Sequence, residues 1–124
     1  MVEPRRTVLV IDDDPVILRL LEVNFEMEGF DVRMAGDGVE GLDAARAEPP
    51  DVIVSDVMMP RMSGLELLAG LKADDLTAAI PVILLSAKAQ ASDVRAGLDA
   101  GADDYVTKPF EPLDLVDRVL KLLP

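Results

Sequence analysis

Short apolar runs alternate with helix-length amphipathic stretches five times along this chain of 124 residues. After a polar arm over residues 1–6, Thr7–Ile11 is a continuous apolar run, which fits a strand buried on both faces of a parallel sheet. Asp14 then offers an N-cap ahead of Pro15. Ile17, Leu20, Leu21 and Phe25 recur at helical spacing, and Gly29 is a natural stop. Phe30–Ala35 reads as a second, less hydrophobic strand suited to a sheet edge. Gly38–Ala47 reads as a helix with Leu42 and Ala45 facing inward, ended by Glu48, Pro49 and Pro50. Val52–Ser55 is the third strand and leads straight into Asp56.

The second half repeats the pattern. Ser63 and Glu66 form a capping box for a helix through Leu67, Leu68 and Leu71. Val82–Leu85 is a fourth strand that closes on Ser86. Ser92 and Asp93 are expected to cap a helix carrying Val94 and Leu98, with Gly101 at its end. Tyr105–Thr107 is a short fifth strand running into Lys108 and Pro109. Pro112 starts a last helix, on which Val116, Val119, Leu120 and Leu123 are expected to share the apolar face. Strict alternation of strand and helix predicts an α/β fold, a three-layer sandwich with a parallel sheet, because each right-handed crossover lays a helix on one face.

Composition narrows the picture. A chain of this length with 50% hydrophobic residues suits one domain with a real core, and no linker or internal repeat divides it. Only 3% of residues are aromatic, so that core is aliphatic. The formal net charge of -12 argues against direct binding to nucleic acid or to an anionic membrane, both polyanions, and favours a bound cation or a basic partner. No stretch is long enough to span a membrane, and Asp12 interrupts the first apolar run far short of a signal-peptide core. The absence of cysteine fits a cytoplasmic location. With no histidine either, the chain supplies neither an imidazole base nor a phosphohistidine.

Candidate chemistry lies where the strands end. Asp12, Asp13 and Asp14 follow the first strand, Asp56 the third, Ser86 the fourth and Lys108 the fifth. In a parallel sheet these positions share one edge, the edge at which open α/β sheets bind ligands. Carboxylates that converge repel one another unless a cation sits among them, and oxygen ligands with room for water suit Mg²⁺. With an ammonium and a hydroxyl added, the site would neutralise the oxygens of a phosphoryl group, and a carboxylate could serve as the nucleophile. Each part also has a plainer reading. An acidic run before a helix caps it, a strand-terminal Asp or Ser starts a turn, a lysine is a solvated loop charge, and Tyr105 is a half-buried core aromatic.

Asp12-Asp13 after an apolar strand, Asp56 in Asp-x-x-Met-Pro-x-x-x-Gly, Ser86-Ala87, and Gly101-Ala102-Asp103-Asp104-Tyr105 before Lys108-Pro109-Phe110 together resemble the receiver domain of two-component response regulators. The resemblance spans Thr7 to Leu123. It implies a flavodoxin-like strand order of 2-1-3-4-5 and a signalling switch rather than an enzyme with turnover. It further implies Asp56 as phosphoacceptor, Asp13 as a direct Mg²⁺ ligand, Asp12 as a ligand acting mainly through water, and the Met58 backbone carbonyl as a further ligand. Lys108 would pair with the phosphoryl group, Ser86 would be the switch hydroxyl and Tyr105 the rotating aromatic. Asp14 is assigned to capping. The Lys108-Pro109 bond is expected to be cis. Met58 and Lys88, two residues past Asp56 and Ser86, occupy positions that by this resemblance influence access of water to the acyl phosphate.

The implied donor is a histidine kinase or a histidine phosphotransfer protein. The implied output is a biased two-state equilibrium at the fourth helix, fifth strand and fifth helix, read by a downstream protein or an output domain. A dimer formed on phosphorylation is compatible with it. The chain stops within a residue of its last predicted helix, as either a free-standing regulator or a receiver from a longer protein would. Two other classes compete. Asp12-Asp13-Asp14-Pro15-Val16 fits the Asp-x-Asp-x-Thr/Val pattern of haloacid-dehalogenase-like phosphatases, with Asp12 as nucleophile, although Asp114 and Asp117 are predicted on a helix and not at a strand end. A flavodoxin-like flavin binder is disfavoured by the acidic end of the sheet.

Overall fold

Five parallel strands lie in the order β2-β1-β3-β4-β5 in the computed structural model, which describes residues 5–124. The strands are β1 (Thr7–Ile11), β2 (Asp31–Ala35), β3 (Val52–Asp56), β4 (Val82–Ser86) and β5 (Asp104–Thr107). The helices are α1 (Pro15–Met27), α2 (Gly38–Ala47), α3 (Gly64–Lys72), α4 (Ala91–Asp99) and α5 (Pro112–Leu122). The element count is the one the alternating pattern predicts, and the strand order is the one the family resemblance implies. Of the polar arm, residues 1–4 lie outside the described residues, Arg5 faces Asp31 at 3.7 Å, and Arg6 donates to the Pro124 carbonyl.

Alternation along the central strands divides the core in two. Leu9, Ile11, Ile53, Leu84 and Tyr105 face one side, where they meet Leu42 and Ala45 of α2 and Leu67, Leu68 and Leu71 of α3. Val8, Val10, Val52, Val54, Ile83, Leu85 and Val106 face the other, against Leu21 and Phe25 of α1 and Leu115, Val116 and Val119 of α5. Strands buried on both faces need unbroken apolar runs, and β1, β3 and β4 have them. The edge strand β2 is partly exposed.

Local chemistry sets the helix starts. The Asp14 carboxylate accepts from Val16 N at 2.9 Å, Asp37 caps α2 through Glu40 N, and Ser63 with Glu66 forms the expected capping box. Two expectations need correction. Helix α4 starts at Ala91 behind Gln90, which makes no side-chain cap, so Ser92 and Asp93 sit inside the first turn. On α5 the inward face is Leu115, Val116 and Val119 with Leu122 and Leu123 packed beside them, while Leu120 is 40% exposed. The true spacing of i, i+1, i+4, i+7 and i+8 leaves Leu120 about 140° from Leu115, on the edge of the buried arc.

Candidate functional site

All the strand-end residues singled out by the sequence converge at the carboxyl edge of the sheet. β1 delivers Asp12, fully buried, and the next residue, Asp13, is exposed. β3 ends on Asp56, 6% exposed. One carboxylate oxygen from each of Asp12, Asp13 and Asp56 lies within 4.8 Å of the others. The Asp14 carboxylate caps α1 through Val16 N, in agreement with its assignment.

The cation among these carboxylates is Lys108. Its Nζ stands 3.0 Å from Asp12 Oδ2 and 3.3 Å from Asp56 Oδ2. Its backbone N–H donates to Ser86 O at 2.8 Å, so β5 hands the lysine across from beside β4. The Lys108-Pro109 peptide bond is cis, as expected. Burial works against the ammonium, but the hydrogen bond to Asp12 and the charges of Asp12 and Asp56 outweigh it and hold Lys108 above the ordinary lysine value. Asp12 is also raised, first by burial and further by the charge of Asp56. The hydrogen bonds from Asp14 N and Lys108 only partly offset this.

One half-buried ammonium facing three carboxylates leaves the site short of positive charge. Hard oxygen donors from two adjacent strand ends, one of them exposed, fit an oxygen-preferring divalent cation that retains waters. Around Asp56 the turn is tight. Met58 N approaches Asp56 Oδ1 at 3.4 Å, and Gly64 N donates to Val57 O at 2.8 Å. A Cβ on Gly64 would fall 2.3 Å from the Asp56 carbonyl oxygen, which explains the glycine that ends the Asp-x-x-Met-Pro-x-x-x-Gly pattern. The Met58 side chain is 56% exposed and shares a cleft with Asp13, Pro60 and Lys88.

Ser86 and Tyr105 meet through a residue whose backbone part the sequence did not disclose. Lys88 N donates to Ser86 Oγ at 3.0 Å, and Tyr105 Oη donates to Lys88 O at 2.9 Å. Tyr105 is 9% exposed, more deeply buried than its half-buried reading. Nor did the sequence signal the pairing of Asp37 with Arg61, which joins α2 to the turn after Asp56. Arg61 Nε donates to Asp37 Oδ2 at 3.1 Å, and Arg61 adopts a left-handed φ of 67°. Its signal is weak because Arg61, directly after Met59-Pro60, falls at an unspecified position of the Asp-x-x-Met-Pro-x-x-x-Gly pattern.

A parallel α/β sheet whose carboxyl edge carries an acidic trio, a lysine and a hydroxyl defines a phosphoryl-handling class of protein. Within that class, residues 8–120 match the response regulator receiver domain family, and the chain belongs to it. It is 45% identical over 116 residues to the DNA-binding dual master transcriptional regulator RpaA of Synechocystis, covering 94% of this chain and 48% of that protein. It is 47% identical over 117 residues to the probable transcriptional regulatory protein TcrX of Mycobacterium tuberculosis, covering 94% and 49%. The chain thus spans about half the length of these curated relatives.

Among solved structures, it resembles the chemotaxis protein CheY4 of Vibrio cholerae, with a TM-score of 0.91 at 29% identity over 97% of this chain and 100% of that one. It also resembles the receiver domain of Francisella response regulator 1452, with a TM-score of 0.90 at 41% identity over 95% and 96%. The phosphatase reading finds no support. Asp114 and Asp117 lie on α5, engaged four residues on with Arg118 and Lys121. Among the described residues no helix is long and apolar enough to cross a membrane.

Proposed function

We propose that Asp56 accepts a phosphoryl group and that the domain signals through the resulting change at Ser86, Tyr105 and the α4-β5-α5 face. The observation that carries this reading is the placement of Lys108 Nζ within 3.3 Å of Asp56 beside the acidic trio. An Asp56 carboxylate oxygen attacks phosphorus while the bond from phosphorus to a donor imidazole nitrogen breaks, its electron pair returning to the ring. Lys108 then exchanges its carboxylate partner for a phosphoryl oxygen. Asp12, Asp13, Asp56 and the Met58 carbonyl are the groups that would hold Mg²⁺, which when bound neutralises charge developing on the phosphoryl oxygens.

The donor is a histidine kinase or a histidine phosphotransfer protein, a division of labour that suits a chain without histidine. Ser86 Oγ leaves Lys88 N to reach the new phosphoryl oxygen, which biases the β4-α4 loop and the ring of Tyr105. The recipient of the signal is a downstream protein or an output domain. The relatives' names point to transcriptional regulation as the output, and a net charge of -12 supports the reading that these residues do not themselves contact DNA. Mapping the modified residue by mass spectrometry after treatment with acetyl phosphate and Mg²⁺ tests the reading. Label on Asp56 that is lost in Asp56→Asn is the expected result. Label on Asp12 would refute it.

A further inference from the structure

Helix α4 meets β5 with a glycine at the contact. A Cβ on Gly97 would stand 2.8 Å from Tyr105 Cδ2, 3.2 Å from Tyr105 Cε2 and 3.1 Å from Leu84 Cδ1. Those separations are too short for carbon atoms, so the ring lies where only glycine leaves room. Gly97 has ordinary helical backbone, and apart from proline no residue supports a helix interior less well. Its reason for being there is therefore the neighbour and not the chain. Gly97 is also the one fully buried residue of α4, which makes this contact the helix's closest approach to the core.

We propose that Gly97 is a positioning residue for the switch: its missing Cβ admits the Tyr105 ring to the inward place, and side-chain size at 97 sets the balance between inward and outward Tyr105. This rests on the reading of Tyr105 as the switch aromatic of a phosphoacceptor. Inward, the ring is buried and its hydroxyl holds the Lys88 carbonyl, one residue's backbone away from the N–H that holds Ser86. A methyl group at 97 expels the ring, frees that carbonyl and loosens the loop that carries the Ser86 partner. Coupling between two sites is reciprocal, so a change that disfavours inward Tyr105 also disfavours the phosphorylated state that draws it in.

The chain contains one tyrosine and no tryptophan, so its fluorescence reports Tyr105 alone. Gly97→Ala in the full chain is expected to raise acrylamide quenching of that fluorescence severalfold. It is expected to lower the thermal midpoint in the parent background but to raise it beside Tyr105→Ala, where the obstruction is gone and alanine improves the helix. At subsaturating acetyl phosphate, labelling should fall severalfold in the parent background and stay unchanged beside Tyr105→Ala, a dependence that a purely structural role does not produce.

Unchanged quenching overturns the proposal, and this includes the case of a ring that slides into the adjoining cavity of about 60 Å³ between Val57, Leu65 and Ala96. Midpoint or labelling shifts of equal sign and size in both backgrounds overturn it too. A parent that takes no label on Asp56 refutes instead the phosphoacceptor reading, and quenching and melting then still decide whether Gly97 places the ring.

Discussion

Lys108 and Asp12 are 96 residues apart in sequence and 3.0 Å apart in space, and Asp12 is wholly buried. The pair is unequal to its surroundings, since Asp13 and Asp56 add two carboxylates to one ammonium. Burial raises Asp12 above 3.8, so folding favours its neutral form. The stability tied to that form is complete below 3.8 and is lost as pH rises through the folded value. At neutral pH Asp12→Asn should therefore raise the metal-free thermal midpoint, by about 3–6 °C for relief on the order of 1 kcal/mol. Added Mg²⁺ should close the gap by stabilising the parent more. Scanning calorimetry with chelator and then with Mg²⁺ checks both, and a lower metal-free midpoint in the variant would contradict the account.

Asp13 is the exposed member of the trio, the position at which a hydrated ion would enter. Asp13→Ala should abolish acquisition of phosphate from acetyl phosphate and remove the upward shift in midpoint that Mg²⁺ gives the parent. Normal labelling of this variant in the presence of chelator would sink the metal assignment.

The lifetime of the acyl phosphate should be long. Met58 cannot orient an attacking water, and Lys88, exposed across the same cleft, presents hydrogen-bond donors and no acceptor to hold one. A variant carrying Met58→Asn and Lys88→Glu supplies groups that hold water in line, and it should lose phosphate severalfold faster. Decay of radiolabel after donor removal decides this: equal half-lives would show the two positions to be bystanders.

Asp37 carries a pH dependence of opposite sign. The Glu40 N–H first, and Arg61 next, hold its carboxyl below 3.8. Its contribution is present above 3.8 and fades as pH falls through the lower folded value. Asp37→Ala should melt below the parent at pH 7, through loss of the α2 cap, and the two midpoints should approach each other on acidification. A gap that stays constant into strong acid would remove Asp37 from the explanation.

The strand ends were legible because each is written in one stretch of chain. An apolar run that stops on a charged or hydroxylated residue announces both a buried strand and the group it delivers, as Ile11 before Asp12 and Leu85 before Ser86 illustrate. Contacts made between distant stretches were not legible. Arg61 reads as an ordinary turn residue until α2 brings Asp37 beside it, and Gly97 reads as a weakness in a helix until β5 places Tyr105 against it. Leu120 and Leu115 are the same residue type a turn and a half apart. Only the position of the sheet decides which of them turns inward.

Lys88 has two separate lives in this structure. Its side chain reaches over the cleft, while its main-chain N–H and carbonyl hold Ser86 and Tyr105. Replacing the side chain therefore edits the chemistry at the mouth of the site and leaves the mechanical link intact. Alanine at 88 is blind to that link. What the link responds to is spacing. An insertion between Ser86 and Lys88, or Lys88→Pro, breaks the connection while Asp12, Asp13, Asp56, Ser86, Tyr105 and Lys108 all survive, so the link depends on the count of residues after Ser86 and on a free N–H at 88, not on the side chain there.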